Sequence, residues 1–206
     1  MPGFGESIRR MVIVAAVAAG ALGTAAAQQF ELTPFAGIRL GGEFEDGTTA
    51  ETRELDESPS FGIIAGFPLG QDRTLEIVWS HQEGTVGAGG DGGDVLELDL
   101  DTITLGGTYE WVRERTRPFV SGTGGLMVLS PEAAGYDRDV LLALTLGGGV
   151  KVPISKHVAL RLEGRGMLTV AVGGTAGVCG GGGCALAFSG AGIGQLELLA
   201  GLTWSR

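Results

Sequence analysis

From Phe30 to Trp204 large apolar residues alternate with small or polar ones, and this two-residue period is what most limits the fold. Successive side chains of a strand point to opposite faces, so the pattern demands sheet with two unlike surfaces. The last segment is the plainest. Leu196, Leu198, Ala200, Leu202 and Trp204 share one face, and Gln195, Glu197, Gly201 and Thr203 the other, with Leu199 the exception. Val158, Leu160, Leu162 and Leu168 alternate likewise with Arg161, Glu163 and Arg165, and Leu75, Ile77 and Trp79 with Thr74, Glu76 and Ser80. The 3.6-residue period of an amphipathic helix does not appear after residue 27.

The alternation divides into eight strands, at 30–41, 60–69, 74–84, 95–112, 117–128, 139–152, 158–170 and 193–204. Long polar or glycine-rich links (42–59, 85–94, 129–138, 171–192) take turns with short ones (70–73, 113–116, 153–157). An up-and-down antiparallel meander with that rhythm has its long loops at one end and both termini at the other. One strand changes phase: Leu96, Leu98 and Leu100 give way to Ile103, Leu105, Tyr109 and Trp111. A β-bulge near Asp101-Thr102 is expected there, because one extra residue reverses the facing of all that follow.

Residues 1–27 have a different grammar. Arg9 and Arg10 precede an apolar run from Met11 to Gly23, and Ala25-Ala26-Ala27 closes it. A positive start, a short apolar stretch and a small-residue triplet make a secretory signal peptide cleaved after Ala27, leaving a barrel domain at 28–206. An uncleaved anchor would want about 20 strongly apolar residues.

Alternation alone leaves two barrels open, a soluble one of lipocalin type and one that turns its apolar face to lipid. Composition decides between them. The chain holds 39 glycines and two lysines, at a formal net charge of −10. That acidity opposes nucleic-acid binding, which needs a basic face. A water-facing surface should also be dense in mixed charge, lysine included. Here the second face is mostly Gly, Thr, Ser and Ala, with Glu31, Arg39, Glu76, Glu110, Arg161, Glu163, Arg165 and Glu197 spread along it. Small residues and paired Arg and Glu suit the packed inside of a narrow eight-stranded barrel. An apolar face free of charge suits hydrocarbon, and a closed barrel satisfies every backbone polar group, as spanning requires. The fold expected is an all-β, eight-stranded, antiparallel transmembrane β-barrel.

Several residues invite chemistry. Cys179 and Cys184 frame GVCGGGGCAL in the last long loop; in an exported chain they are expected to form a disulfide, worth roughly 2 kcal/mol for so short a loop. No nearby His completes a tetrahedral metal site with them. Residues 43–57 hold Glu43, Glu45, Asp46, Glu51, Glu54, Asp56 and Glu57 against Arg53, which reads as a solvated acidic loop, with weak divalent-cation binding the alternative. Arg113, Arg115 and Arg117 cluster at a short turn, where they read as marking the rim, with contact to lipid phosphate the alternative. Ser80, His81 and Glu83 suggest a hydrolase, but adjacent strand residues face opposite ways, so Ser80 and His81 do not form a nucleophile–base pair. The glycines at 122–125 and 147–149 belong to strands and are followed by no helix, so they do not cradle phosphate.

The strings LDTITLGGTYEW, RPFVSGTGGL, LGGGVKVPISKHVALRLEGRG and GQLELLAGLTW resemble the OmpA-like family of small bacterial outer-membrane β-barrels over nearly all of 30–206. The resemblance implies periplasmic termini and turns, surface loops and a polar lumen filled with side chains. It implies transit through the periplasm to the bacterial outer membrane, contact with outer-membrane lipid and lipopolysaccharide, and insertion by the barrel assembly machinery as a monomer. Such barrels end on an aromatic residue, whereas here Ser205 and Arg206 follow Trp204, which stands as the signal aromatic. The function so implied is non-enzymatic, structural or surface-interacting through the long loops, with no cofactor. A lipid-modifying outer-membrane enzyme and a narrow solute conduit are the alternatives.

Overall fold

A computed structural model describes residues 30–45, 52–54, 57–87, 95–111, 113, 115–131, 138–171, 175–180, 183–189 and 193–206. The strands are β1 (Glu31–Glu45), β2 (Thr52–Glu54), β3 (Ser58–Pro68), β4 (Arg73–Gly87), β5 (Val95–Glu110), β6 (Arg117–Pro131), β7 (Asp139–Pro153), β8 (Val158–Ala171), β9 (Thr175–Gly180), β10 (Gly183–Ser189) and β11 (Ile193–Ser205). The leader read at 1–27 lies outside the described residues.

Eight of these strands form a closed barrel. The sheet runs β11-β8-β7-β6-β5-β4-β3-β1, and β11 pairs back onto β1, so the barrel wall has no free edge. The pairs are antiparallel, from β1–β3 round to the closing register Leu32↔Trp204, Ala36↔Ala200 and Arg39↔Glu197. Each barrel strand has at least the 11 residues of β3, enough to cross a hydrocarbon layer at barrel tilt. The chain rises and falls through short turns at one end and long links at the other.

The two faces sort by chemistry. Leu198 and Leu202 are each 52% exposed on the outer wall, whereas Arg161 and Glu197 are 1% and 2% exposed inside it. Ile38, Ile77, Leu105, Leu126, Leu144 and Leu168 continue the outer apolar surface around the barrel. So large an apolar surface is not sustained in water, and it matches the lipid-facing band of a transmembrane barrel.

Two expectations are corrected. β5 carries no bulge near Asp101-Thr102: its register runs unbroken against both β4 and β6. The apolar phase changes because the surroundings do. Leu98 and Leu100 are buried inward at the loop end, joined by Met127, Leu129, Leu141 and Met167, while Asp99 and Asp101 take the outward positions above the lipid-facing residue Ile103. The register shift lies instead in β1, between Leu40 and Glu43, where Gly41 has φ +76°, a conformation open to glycine. The second correction concerns the links: β2 pairs beside β1, and β9 and β10 form a separate hairpin within the segment read as loop 171–192.

Leu199, the exception in its strand's pattern, is buried inside with Phe35, Ile64 and Val78. The lumen therefore holds an apolar cluster on β11, β1, β3 and β4 and an apolar layer on β5 to β8 at the loop end. The rest of it is polar.

Candidate functional site

Charges cannot stay inside a barrel wall unless each meets an opposite charge and its remaining hydrogen bonds are made. The lumen solves this with three ionic nodes. In the first, the Glu197 carboxylate sits between two guanidinium groups: Arg39 donates from Nε to Oε1 at 3.1 Å, and Arg165 donates from Nε to Oε2. Ser60 adds a hydroxyl bond to Oε1 at 2.6 Å. Arg39 spends its other nitrogens on Gln82 Oε1 (2.8 Å) and Ser80 Oγ (2.6 Å), and Gln82 donates onward to Ser58.

The second node inverts the ratio, with one cation between two acids. Arg161 binds Glu76 bidentately, Nη1 to Oε1 at 2.6 Å and Nη2 to Oε2 at 3.1 Å, and donates from Nε to Glu163 Oε2 at 2.9 Å. This fork geometry is the strong form of the Arg–carboxylate pair. Ser121 satisfies Glu163 Oε1 at 2.7 Å. In the third node, nearest the turns, Lys151 bridges Glu31 (2.8 Å) and Glu110.

The wall is shaped to admit these groups. The Arg161 guanidinium lies 4.6 Å over the Phe119 ring, and that of Arg165 lies 5.2 Å over Phe35, favourable cation–π placements. Phe119 in turn fills the space at Gly149, where an added Cβ would meet the ring at 2.8 Å and collide with the Leu162 carbonyl. Glycine, aromatic ring, guanidinium and carboxylate thus stack across the lumen.

All eight charges read from the sequence, Glu31, Arg39, Glu76, Glu110, Arg161, Glu163, Arg165 and Glu197, lie in these nodes. Sequence reasoning left out Lys151 and Gln82. Lys151 shares the parity of Thr145, Gly147 and Gly149, and that was the available signal. Among the described residues, Thr102 Oγ1 is the sole buried side-chain polar atom without a partner. Ser80 and His81 do face apart: Ser80 is inside on Arg39, while His81 is on the outer wall, with Nδ1 3.0 Å from Asp101 Oδ1 and its ring 5.1 Å from that of Phe61.

Cys179 and Cys184 are direct register partners across the β9–β10 hairpin; their side chains lie outside the described residues, as do those of the acidic stretch 43–56. Arg113, Arg115 and Arg117 are exposed at the turn end. There a cavity of about 480 Å³ is lined among others by Arg117, Lys156 and Arg206 and by Glu31 and Glu110, the two acids that Lys151 bridges.

What the arrangement does chemically is tie nine charged side chains into three nodes and pack the interior around them with buried Thr, Ser and Gln as well as apolar groups. Each of the nine meets an opposite charge within its node.

No protein-family model and no curated protein matches this chain. Solved structures do. The neisserial surface protein A superposes with a TM-score of 0.58 at 13% identity, covering 88% of this chain and 99% of that one. The outer-membrane protein OprG of Pseudomonas aeruginosa gives 0.54 at 14%, covering 87% and 96%. The outer-membrane protein AlkL, solved in lipid bilayers, gives 0.50 at 14%, covering 89% and 94%. At these identities the likeness speaks for architecture, and it agrees with the apolar wall and closed register: this chain has the fold of the small outer-membrane β-barrels.

Proposed function

We propose that this chain is a non-enzymatic protein of the bacterial outer membrane, reached through the periplasm, whose barrel is a rigid anchor and whose working surface is its long loops. The observation that carries this reading is the occupied lumen, with ion-paired charges in the middle and buried apolar side chains at the loop end. Eight strands leave room for side chains only, and a buried apolar layer resists wetting. Activity is then placed where the chain adds structure beyond the barrel, in β2 and the β9–β10 hairpin.

The hairpin fits this role if it is stapled. Directly opposed residues of an antiparallel pair have Cα atoms about 4.5–5.5 Å apart, within the span of a disulfide. The pairing of Cys179 with Cys184 meets that requirement. Protein exported from cells is expected to resist alkylation at both cysteines until reduced, and reduction is expected to leave the barrel folded. Free thiols in the exported protein would remove the staple.

The reading is tested by protease treatment of intact cells together with two functional assays. Cleavage within 172–192, with the barrel core protected, is expected. Planar bilayers should show no single-channel steps, and labelled phospholipid or lipid A should remain unmodified. Steps would establish the conduit instead; turnover that disappears in His81→Ala would establish the enzyme. Deletion of 172–192 is expected to preserve the heat-dependent gel mobility of a folded barrel while abolishing attachment of protein-bearing cells to surfaces.

A further inference from the structure

The turn end has a composition of its own. Each of its three short turns presents one large apolar residue to the outside: Leu69, Trp111 and Ile154, at 68%, 46% and 64% exposure. Each also carries exposed cations, Arg73 beside Leu69, Arg113 and Arg115 beyond Trp111, and Lys156 beside Ile154. Backbone bonds close the turns and fix these placements, Leu69 N to Arg73 O at 2.8 Å, Arg113 N to Thr116 O at 3.2 Å and Ile154 N to Val158 O at 2.8 Å. Trp111 packs edge-on to Tyr109 with ring centroids 5.2 Å apart. An apolar group beside a cation is what the boundary between acyl chains and phosphates accommodates, the first entering the chains while the second reaches the headgroup.

Charge is also distributed unequally along the barrel axis. Segments 69–73, 111–117, 154–157 and 206 hold six Lys or Arg and two acids, Asp72 and Glu114. Among the described residues, those of 43–57, 83–101 and 138–139 at the opposite end hold nine acids and two arginines. The acids nearest the turns inside the lumen, Glu31 and Glu110, are held by Lys151 and do not compete for the rim.

We infer that the turn end is a collar that binds the phosphate groups of anionic phospholipids in the leaflet it faces. The inference requires only that the apolar wall sits in a bilayer, so it stands or falls separately from the role proposed for the loops. Anionic lipid is drawn to one end of the molecule and repelled from the other, so net selectivity measured on the whole barrel reports the collar.

The test uses the full barrel folded into phosphatidylcholine vesicles with trace spin-labelled phosphatidylglycerol or phosphatidylcholine. Motionally restricted phosphatidylglycerol is expected to exceed phosphatidylcholine by about threefold or more, since each cation near a surface attracts anionic lipid by several-fold. The ratio should fall toward one in Arg113→Gln/Arg115→Gln/Lys156→Gln and at high salt, and should not fall in Glu83→Gln/Asp99→Asn, which removes acids from the repelling end. Should the triple variant fail to fold, Lys156→Gln and Arg113→Gln singly are each expected to lower the ratio. A ratio of one in the unaltered protein, or one that survives these substitutions in folded barrels, overturns the collar.

Discussion

Glu197 is the single acid between Arg39 and Arg165, while Glu163 shares Arg161 with Glu76. Neutralising the two carboxylates therefore has unequal consequences. Glu197→Gln leaves two buried guanidinium groups without a counter-charge, and breaking a buried pair costs about 3–5 kcal/mol. Glu163→Gln leaves Arg161 on its bidentate partner and forfeits a charge-assisted bond, about 1.5–3 kcal/mol. Urea unfolding in vesicles checks the order, and a Glu163→Gln loss as large as that of Glu197→Gln would refute the assignment of nodes. The acids and arginines of these nodes were legible in the sequence because each sits at a strand position opposite in parity to leucines. Their partners were not. Which carboxylate meets which guanidinium depends on strand register around the closed wall, and pairs such as Arg161–Glu76 are 85 residues apart in the chain.

Strand existence was legible element by element from two-residue alternation on the lipid-facing wall, faintly in β6, where outward Gly122 and Gly124 interrupt the large apolar residues. It failed where the outer wall leaves lipid. In β5 the pattern reverses without a bulge because Leu98 and Leu100 line the lumen at the level where Asp99 and Asp101 face outward. The glycines follow the same division between faces. Inward Gly149 lies against the Leu162 backbone and Phe119, whereas the nearest atom to a Cβ at outward Gly166 is 3.9 Å away. Gly149→Ala is expected to displace Phe119, loosen the Arg161 node and lower stability by about 1–3 kcal/mol, as overpacking does. Gly166→Ala is expected to be neutral within about 0.5 kcal/mol. Paired unfolding curves of the two variants measure the difference. The β9–β10 hairpin escaped the reading because a run of glycines interrupts the alternation that would have announced it.

At the scale of the molecule, one orientation reconciles the hydrophobic surface with the buried charge: leucine outward, arginine and glutamate enclosed. It makes a sharp prediction about depth and face. Leu198 and Leu199 are adjacent in sequence, yet the first is on the lipid side and the second packs inside against Phe35, Ile64 and Val78. An arginine at 198 would be held in hydrocarbon, at about 2–4 kcal/mol near the bilayer midplane. Leu69 is exposed at a turn, so the same change there stays with water and phosphate and is expected to cost at most about 1 kcal/mol. Leu199→Ala acts by another route, emptying volume beside Phe35, and is expected to cost about 2–5 kcal/mol. The two kinds of loss separate by solvent. Thinning the bilayer brings position 198 nearer the headgroups and should relieve the Leu198→Arg defect, while the Leu199→Ala defect belongs to the lumen and should not respond. Equal sensitivity of both variants to lipid chain length would mean that the wall does not divide lipid from lumen between these two residues.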